Sequence, residues 1–256
     1  MQRVELLGAR IHDLAFGEAL ERISALVAAD RRALVVTPNV DHLVRLERDV
    51  AFRAAYAAAD LVLADGVPLL WACRLLGRPL RAKVSGSDLL PAYAELAAAR
   101  GHRLYFLGGR PGAAVRAAQV LAARHAGLQV VGIDVPPVGF ERDPRLDGAV
   151  MARVRAARPD VLFVGLGSPK QELWLAERRL ELEVPVSIGV GGAFEMVAGL
   201  VPRAPRWMQR VGLEWAWRLA REPRRLWRRY LLEDPRFFAL VFAQWRAARR
   251  CDPSAA

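Results

Sequence analysis

The sequence has little cysteine and no long uninterrupted apolar run. Its two cysteines, Cys73 and Cys251, lie far apart and outside any CxxC pattern, which argues against a disulfide scaffold or a zinc site and favours a reducing compartment. The N-terminal segment carries charges where a signal peptide needs an apolar core. The least polar stretch, 184–201, contains Glu195 and does not resemble a membrane span. We therefore expect a cytoplasmic protein.

Several motifs of nucleotide-dependent and metal-dependent proteins are also absent. No segment matches GxxxxGK[ST] or GxGxxG, which argues against a P-loop NTPase and a dinucleotide-dependent oxidoreductase. No DxD-type acidic pair is present, and the four histidines lack metal-ligand spacing, so we interpret them as structural or surface residues. We predict no metal and no cofactor. No recognised nucleic-acid-binding motif accompanies the basic charge, so we predict no nucleic-acid partner.

Basic charge is concentrated near the C-terminus. The 256 residues carry a net charge of +11, with 54% hydrophobic and 25% charged residues, a composition typical of a globular protein. Residues 203–250 contain 13 arginines against four acidic residues, whereas the first 202 residues carry only +3. Five of the seven tryptophans also lie in this segment. We therefore predict a body over 1–202 and an appendage over 203–250.

Hydrophobic patterning divides the body into alternating strands and helices. Predicted strands are 33–37, 61–64, 103–107, 129–132, 161–165 and 186–190, and predicted helices are 16–29, 40–58, 89–100, 112–124, 145–157 and 170–178. This alternation predicts an α/β fold with a mostly parallel sheet flanked by helices. The appendage is predicted to be all-helical, and Pro205, Pro223 and Pro235 divide it into about three short helices.

Glycine-rich loops follow several predicted strands. The candidate nucleotide-binding glycines are Gly108, Gly109, Gly165, Gly167 and Gly191. A glycine at such a turn lets backbone N–H groups approach a phosphate or a ribose, but it is also the ordinary residue of a tight turn. Three such loops in one body favour a nucleotide or another phosphate ligand.

Polar side chains in the same loops are candidates for chemistry. Asp65 follows an apolar strand and precedes a glycine, so it is either a partly desolvated general base or an Asp-Gly turn or helix N-cap. Thr37 and Asn39 either bind a sugar or cap the next helix. Lys83 lies in the loop after the Asp65 loop and joins the sugar-binding candidates.

Two further loop residues also leave alternatives open. Gln171 suits recognition of an amide or a sugar, but one helical turn beyond Pro169 it is equally compatible with a solvated position. Glu195 is either a ligand of ribose hydroxyls or a cap of its own helix.

Arginines recur at helical spacing in the appendage. Arg218, Arg221, Arg225 and Arg228 share a face if the helix re-forms after Pro223, and aromatic residues interleave with them. A solvated basic face is the simplest interpretation. The alternatives are attraction to acidic lipid headgroups and neutralisation of a diphosphate.

Together, these segments resemble the WecG/TagA/CpsF family of bacterial glycosyltransferases. The resemblance runs in order from Val4 to Leu232 and is carried by the segments TPNVDHLVRLERD, LADG, VSGSDLLP, FLGGRPG, VGLGSPKQELW, GVGGAFE, GLEWAWRL and EPRRLWRRYL. It implies a Rossmann-like body, and a helical appendage that closes over the active site and favours the membrane. The implied activity is inverting, metal-independent transfer of N-acetylmannosamine, its uronic acid or glucuronic acid from UDP to a polyprenyl-diphosphate-linked acceptor.

The resemblance also implies roles for individual residues. Asp65 is expected to be the general base, with Thr37 and Asn39 beside it, Gln171 near the UDP-sugar and Glu195 at the nucleoside. The arginines at 218, 225 and 228 are expected to meet the diphosphates, and the protein is expected on the inner face of the cell membrane.

Two other interpretations stay open at this point. A non-catalytic α/β protein that binds anions or a membrane surface is the alternative to an enzyme. For the apolar residues around Trp71 and in 237–245 three interpretations are open: contacts in a homo-oligomer, contacts with the lipid, or packing in the core.

Overall fold

In the computed structural model, which describes residues 2–251, a six-stranded parallel sheet forms the centre of the protein. The strands are β1 (Arg3–Leu6), β2 (Ala9–His12), β3 (Ala33–Val36), β4 (Leu61–Val62), β5 (Arg103–Gly108), β6 (Gln129–Asp134), β7 (Val161–Gly165) and β8 (Val186–Gly189). The sheet order is β4-β3-β8-β7-β5-β6, with every neighbouring pair parallel, while β1 and β2 form a separate antiparallel hairpin. The predicted α/β fold with a parallel sheet is confirmed.

Helices connect the strands and form the C-terminal region. They are α1 (Phe16–Ala28), α2 (Val40–Arg48), α3 (Val50–Ala57), α4 (Val67–Leu75), α5 (Gly86–Arg100), α6 (Ala113–Arg124), α7 (Pro144–Ala157), α8 (Lys170–Leu182), α9 (Ala193–Val197), α10 (Arg206–Arg210), α11 (Glu214–Arg221), α12 (Pro223–Trp227) and α13 (Arg236–Cys251). A 3-10 turn (Phe140–Arg142) precedes α7, and a π-helical segment (Arg228–Glu233) follows α12.

Two hydrophobic cores cover the two faces of the sheet. Successive side chains of a strand point to opposite faces, so Leu34 and Val36 of β3 join one core while Ala33 and Val35 join the other. All four are fully buried. A strand that is buried on both faces reads as a continuous apolar run, which explains why the central strands were predictable.

The N-terminal hairpin is an element that the sequence analysis did not predict. Its turn has positive φ at Leu7 (48°) and Gly8 (80°), as a two-residue hairpin turn requires. His12 at the end of β2 accepts a hydrogen bond at Nδ1 from the backbone N–H of Val62 (3.1 Å). The hairpin thereby covers the exposed edge of β4, where only two residues pair.

The predicted helix over 40–58 is wrong in one respect, because it is two helices. Asp49 leaves the helical conformation (φ −111°, ψ 102°) and accepts a hydrogen bond from the N–H of Phe52 at 3.0 Å. An aspartate is a favoured N-cap, and here it starts a new helix at Val50. The predicted strand 61–64 is also shorter than expected, as only Leu61 and Val62 pair with β3.

The C-terminal region is helical, as predicted, but has more breaks than expected. The three prolines lie at or just before the starts of α10, α12 and α13, where a missing N–H costs least. An additional break at Gly212, with φ of 71°, separates α10 from α11. Within residues 2–251 no helix is both long and apolar enough to cross a membrane.

Helix α13 returns to the body. Phe237 and Val241 are buried in the same core as the hairpin and α2. Gln244 accepts a hydrogen bond from the N–H of Leu7 (3.1 Å) and donates one to the carbonyl of Glu5 (3.3 Å). At the other end of the C-terminal region Arg203 pairs with Asp88 of α5 at 2.7 Å, so the segment between Arg203 and α13 is held to the body at both of its ends. The boundary at residue 202 stays a prediction.

Candidate active site

The strand-end loops and the C-terminal helices enclose a cavity of about 620 Å³. It lies beyond the carboxyl ends of the central strands, the usual ligand position in open α/β sheets, and its volume is in the range of small-molecule sites. Ten predicted site residues line it: Thr37, Asn39, Asp65, Lys83, Gly167, Gln171, Gly191, Glu195, Arg218 and Arg225. Five others do not: Gly108, Gly109, Gly165, Arg221 and Arg228.

A second, wide depression lies away from these loops. It has a volume of about 940 Å³ and is lined by α1 and Arg81. Arg81 is engaged there by Glu18 at 2.7 Å and Asp13 at 3.3 Å. None of the predicted site residues lines it, so the chemistry is assigned to the smaller, more enclosed cavity.

Asp65 lies in the wall of the cavity directly after β4. Its N–H donates to the carbonyl of Pro38 at 2.8 Å, which joins it to the loop after β3. Gly66, not Asp65, is the N-cap residue of α4, so the capping interpretation is wrong. Burial, together with the nearby carboxylate of Glu214, raises the pKa of Asp65 to about 7 against the opposing effects of Lys83 and Arg218. A carboxylate with this pKa is suited to general-base chemistry near neutral pH.

The loop after β3 brings two predicted residues to the cavity. Thr37 is buried, and its hydroxyl lies 3.5 Å from the carbonyl of Gly189 in the adjacent strand. Asn39 is the N-cap of α2, and its Oδ1 accepts from the N–H of His42 at 3.2 Å. Capping and cavity-lining are thus both true of Asn39. His42 is buried, and burial with two neighbouring arginines lowers its pKa to about 3, so it is neutral.

Lys83 reaches the cavity from the loop before α5. The N–H of Val84 donates to the carbonyl of Ala64 at 2.7 Å, which places Lys83 near the end of β4. Its ammonium group lies 3.6 Å from Asp88 and 3.7 Å from Glu214. Because Glu214 belongs to α11, this pair connects the body with the C-terminal helices.

The strand-end glycines divide into two groups. Gly167 and Gly191 border the cavity, whereas the other three allow the loops to pack against each other. A Cβ on Gly108 would lie 2.9 Å from the carbonyl oxygen of Gly165, and one on Gly165 would lie 2.8 Å from that of Gly191. A Cβ on Gly109 would lie 3.2 Å from the Phe194 ring. Close backbone packing explains the glycines at 108, 109 and 165, and their nucleotide-binding role stays a prediction.

Glu195 connects two loops and keeps one free oxygen. Its Oε1 accepts from the N–H of Arg110 at 2.8 Å, while Gly192 occupies the N-cap of α9, so Glu195 does not cap its own helix through a side-chain bond. Its buried Oε2 has no protein hydrogen-bond partner within the described residues. This oxygen is available to a ligand hydroxyl.

The four predicted arginines point in different directions. Arg218 and Arg225 line the cavity. Arg221 is exposed, and its guanidinium lies over the ring of Trp217 at 5.0 Å. Arg228 is also exposed. The helix does re-form at Pro223, but the four arginines do not share one face, because Glu222 leaves the helical conformation (φ −131°, ψ 55°) and a π-helical segment begins at Arg228.

Comparison with known proteins identifies the family of the chain. The family model described as Glycosyl transferase WecG/TagA/CpsF family matches residues 4–251. The chain belongs to the WecG/TagA/CpsF glycosyltransferase family. As a glycosyltransferase it is an enzyme, which decides against the non-catalytic alternative.

Two relatives carry the name N-acetylglucosaminyldiphosphoundecaprenol N-acetyl-beta-D-mannosaminyltransferase. The protein of Bacillus spizizenii (strain W23) is 29% identical over 221 residues, which is 86% of this chain and 83% of that protein. The protein of Bacillus subtilis (strain 168) is 28% identical over 212 residues, which is 83% of this chain and 80% of that protein.

Sequence reasoning missed two cationic residues of this glycosyltransferase. Arg110 follows β5 and pairs with Glu222 of the C-terminal region at 3.4 Å, and both line the cavity. Arg229 donates to Asn39 (3.3 Å) and pairs with the buried Asp41 (3.4 Å). Arg110 carried a signal, because it lies within the quoted segment FLGGRPG. Nothing in the local sequence distinguishes Arg229 from its neighbour Arg228.

The transferase also has a large apolar rim at the cavity mouth. Trp215, Leu231 and Phe238 line the cavity and are 42%, 53% and 62% exposed. Phe242, one helical turn beyond Phe238 on α13, is 52% exposed. Large apolar side chains that border a polar cavity and face solvent are unusual unless they meet an apolar ligand or surface.

Proposed function

We propose that this enzyme transfers N-acetylmannosamine from a UDP donor to N-acetylglucosamine on a polyprenyl diphosphate, with inversion at the anomeric carbon and without a metal ion. The observation that carries the proposal is Asp65, a carboxyl group with a pKa of about 7 in a cavity also lined by Arg218 and Arg225. The names of the two relatives favour N-acetylmannosamine over the uronic acids.

The proposed reaction is a direct displacement. Asp65 accepts the proton of the acceptor hydroxyl as its oxygen bonds to the anomeric carbon. The bond between that carbon and the UDP oxygen breaks, and UDP leaves with the electron pair. Because attack and departure occur on opposite faces, the configuration inverts. The arginine side chains stabilise the negative charge that develops on the diphosphate.

Positive side chains are the proposed substitute for a divalent cation. Five basic residues line the cavity: Lys83, Arg110, Arg218, Arg225 and Arg229. Among residues 2–251 no group of three or more potential His, Cys, Asp or Glu ligands is arranged to hold a metal. The proposal of metal independence rests on the five cations and is tested directly below.

Transfer is expected from UDP-N-acetylmannosamine in EDTA and mild detergent. The assay offers this nucleotide sugar, its uronic acid and UDP-glucuronic acid in parallel with a prenyl-diphosphate N-acetylglucosamine, and mass spectrometry reads the product. One added N-acetylhexosamine mass at an unchanged rate after chelation is the expected result. A rate that collapses with EDTA and recovers with Mg²⁺ or Mn²⁺ would overturn metal independence. Transfer of a uronic acid instead would overturn the assignment of the sugar.

We also propose peripheral binding to the inner face of the cell membrane through the apolar rim. On α13, Phe237 and Val241 face the core while Phe238 and Phe242 face outward. Basic residues flank this face, with Arg246 over the ring of Phe242 and Arg249 over that of Trp245. An amphipathic helix with outward aromatic and basic residues is typical of interfacial binding.

Vesicle co-sedimentation tests this proposal. Anionic vesicles are expected to bind the wild-type protein, and Phe238→Ser combined with Phe242→Ser should weaken binding by about tenfold or more. Val138→Ser is the matched control, because Val138 is a 94% exposed apolar residue in the loop after β6. Equal binding of the rim variant and the wild type would remove the rim from the interface.

A further inference from the structure

The amide of Gln171 is held on two sides at the edge of the cavity. Its Nε2 donates to Oε1 of Glu172 at 2.7 Å, and its Oε1 accepts from the backbone N–H of Gly191 at 3.0 Å. Gln171 is 3% exposed and Glu172 is 1% exposed. The solvated alternative for Gln171 is therefore wrong, and its side chain joins the loops after β7 and β8.

These two partners fix the polarity of the amide. A backbone N–H only donates, so the atom of Gln171 that faces Gly191 is the oxygen. The Oε1 atom of Glu172 accepts in the ionised carboxylate and, as the carbonyl oxygen, in the neutral acid as well, so the nitrogen of Gln171 faces Glu172. Gly189 leaves the space this arrangement needs, since a Cβ there would lie 2.8 Å from the Gln171 nitrogen.

With the amide oriented in this way, one N–H of Gln171 is left for a ligand. An amide nitrogen carries two hydrogens, and within the described residues only the one directed at Glu172 has an acceptor. Gln171 lines the cavity. A ligand atom that meets this N–H must accept, which suits a carbonyl oxygen, whereas a hydroxyl would pair equally well with an amide of either polarity.

We propose that Glu172 is a positioning residue that fixes Gln171 as a hydrogen-bond donor to the acetamido carbonyl oxygen of the UDP-sugar. Glu172 does not line the cavity, so it acts through Gln171 and does not touch the substrate. Its burial raises its pKa to about 7, against the hydrogen bond from Gln171, which lowers it. Burial of a carboxyl group is unfavourable for its ionised form. The hydrogen bond that Glu172 accepts from Gln171 explains why a carboxyl group is placed there. The inference rests on the proposed function for the identity of the sugar.

A binding comparison with two nucleotide ligands tests the inference. The measured quantity is the ratio of the dissociation constants of UDP and UDP-N-acetylmannosamine, which isolates the contribution of the sugar. Glu172→Gln keeps an acceptor oxygen and should leave the ratio within about threefold of the wild type. Glu172→Met has similar length but no acceptor, and should reduce the sugar's contribution by about tenfold.

A double-mutant cycle separates positioning from general structure. Gln171→Met should lose the same sugar contribution, and Glu172→Met should add nothing in that background, because Glu172 acts only through Gln171. UDP affinity should change little in all variants.

Three outcomes would overturn the inference. The first is a ratio for Glu172→Met similar to that of the wild type, and the second is an equal reduction of the ratio in Glu172→Gln and Glu172→Met. The third is a loss of affinity for UDP alone as large as the loss for UDP-N-acetylmannosamine, which would place the contact on the diphosphate. Each outcome is read against wild-type transfer activity. If the wild-type protein transfers sugar but the ratio of dissociation constants does not change in the Glu172 variants, only the role of Glu172 is contradicted. Absence of transfer by the wild type contradicts the proposed function itself.

Discussion

Replacing Asp65 with asparagine is expected to lower the rate of sugar transfer by about 10²- to 10⁴-fold, the usual contribution of a general base. The amide has nearly the same shape as the carboxyl group but cannot accept the proton of the acceptor hydroxyl. UDP affinity should stay within about threefold of the wild type, since the change leaves the cationic side chains in place. Initial rates from the transfer assay, together with calorimetric UDP binding, measure both quantities.

Asp234 provides the matched control for this experiment. It also lines the cavity, and burial raises its pKa to about 7 despite the opposing effect of Arg229. It follows the π-helical segment of the C-terminal region, near Arg229 and Asp41, whereas Asp65 follows strand β4 of the sheet. Asp234→Asn should therefore leave most of the activity. The reverse outcome, an active Asp65→Asn and an inactive Asp234→Asn, would transfer the role of base to Asp234.

The pH dependence of the wild-type enzyme provides a second readout of the same base. A general base works in its deprotonated form, and the pKa of Asp65 is raised to about 7. The value of kcat/KM should therefore fall about tenfold per pH unit below pH 7 and level off above it. A profile that stays flat down to pH 5 would contradict an essential carboxyl group with a raised pKa.

Loss of the cavity arginines is the second prediction with a large effect. Arg218→Ala and Arg225→Ala should each lower kcat/KM by about 10- to 100-fold, since hydrogen bonds to charged groups contribute about 1.5–3 kcal/mol. The larger part of the loss should appear in kcat if the arginines stabilise the departing diphosphate more than the bound UDP-sugar. Steady-state kinetics with varied UDP-sugar separates the two constants.

The same helices offer controls of identical chemistry. Arg221 stacks on Trp217 and Arg228 faces solvent, so Arg221→Ala and Arg228→Ala remove the same charge from outside the cavity. Both should retain activity within about threefold, because exposed charges contribute little. If Arg228→Ala is as damaging as Arg225→Ala, the diphosphate assignment that follows from the family resemblance holds for Arg228.

The ion pairs across the cavity explain why the C-terminal region belongs with the body. Lys83 pairs with Glu214, Arg110 with Glu222 and Arg203 with Asp88. Lys83 lies in the loop before α5, Arg110 in the loop after β5 and Asp88 in the first turn of α5, so each pair joins the body to the C-terminal region. Few apolar residues of that region are buried before α13, Leu226 and Ala204 among them. These ion pairs therefore add polar contacts between the body and the part of the C-terminal region that precedes α13.

Periodicity in the sequence was sufficient to predict the parallel sheet and the edge of the sheet at which the cavity lies. Strands such as Ala33–Val36 and Val161–Gly165 are buried on both faces, and their continuous apolar runs are visible without any structure. In a parallel sheet all carboxyl ends lie at one edge, so Asp65, Thr37 and Gln171 were expected together. The alternation of strands and helices along the chain identified the loops that follow the strands as the candidates for chemistry.

Only the tertiary structure decided which side chains face the cavity. Gly108 and Gly167 are both strand-end glycines, yet the first packs against Gly165 and the second borders the cavity. Arg228 and Arg229 are adjacent in the sequence, yet Arg229 reaches Asp41. The local sequence determines whether a residue lies in a helix or a strand, and the periodicity of that element, because both depend on backbone hydrogen bonds and nearby side chains. The direction in which a loop or short helix presents a side chain depends on the elements that pack against it, and these come from distant parts of the chain.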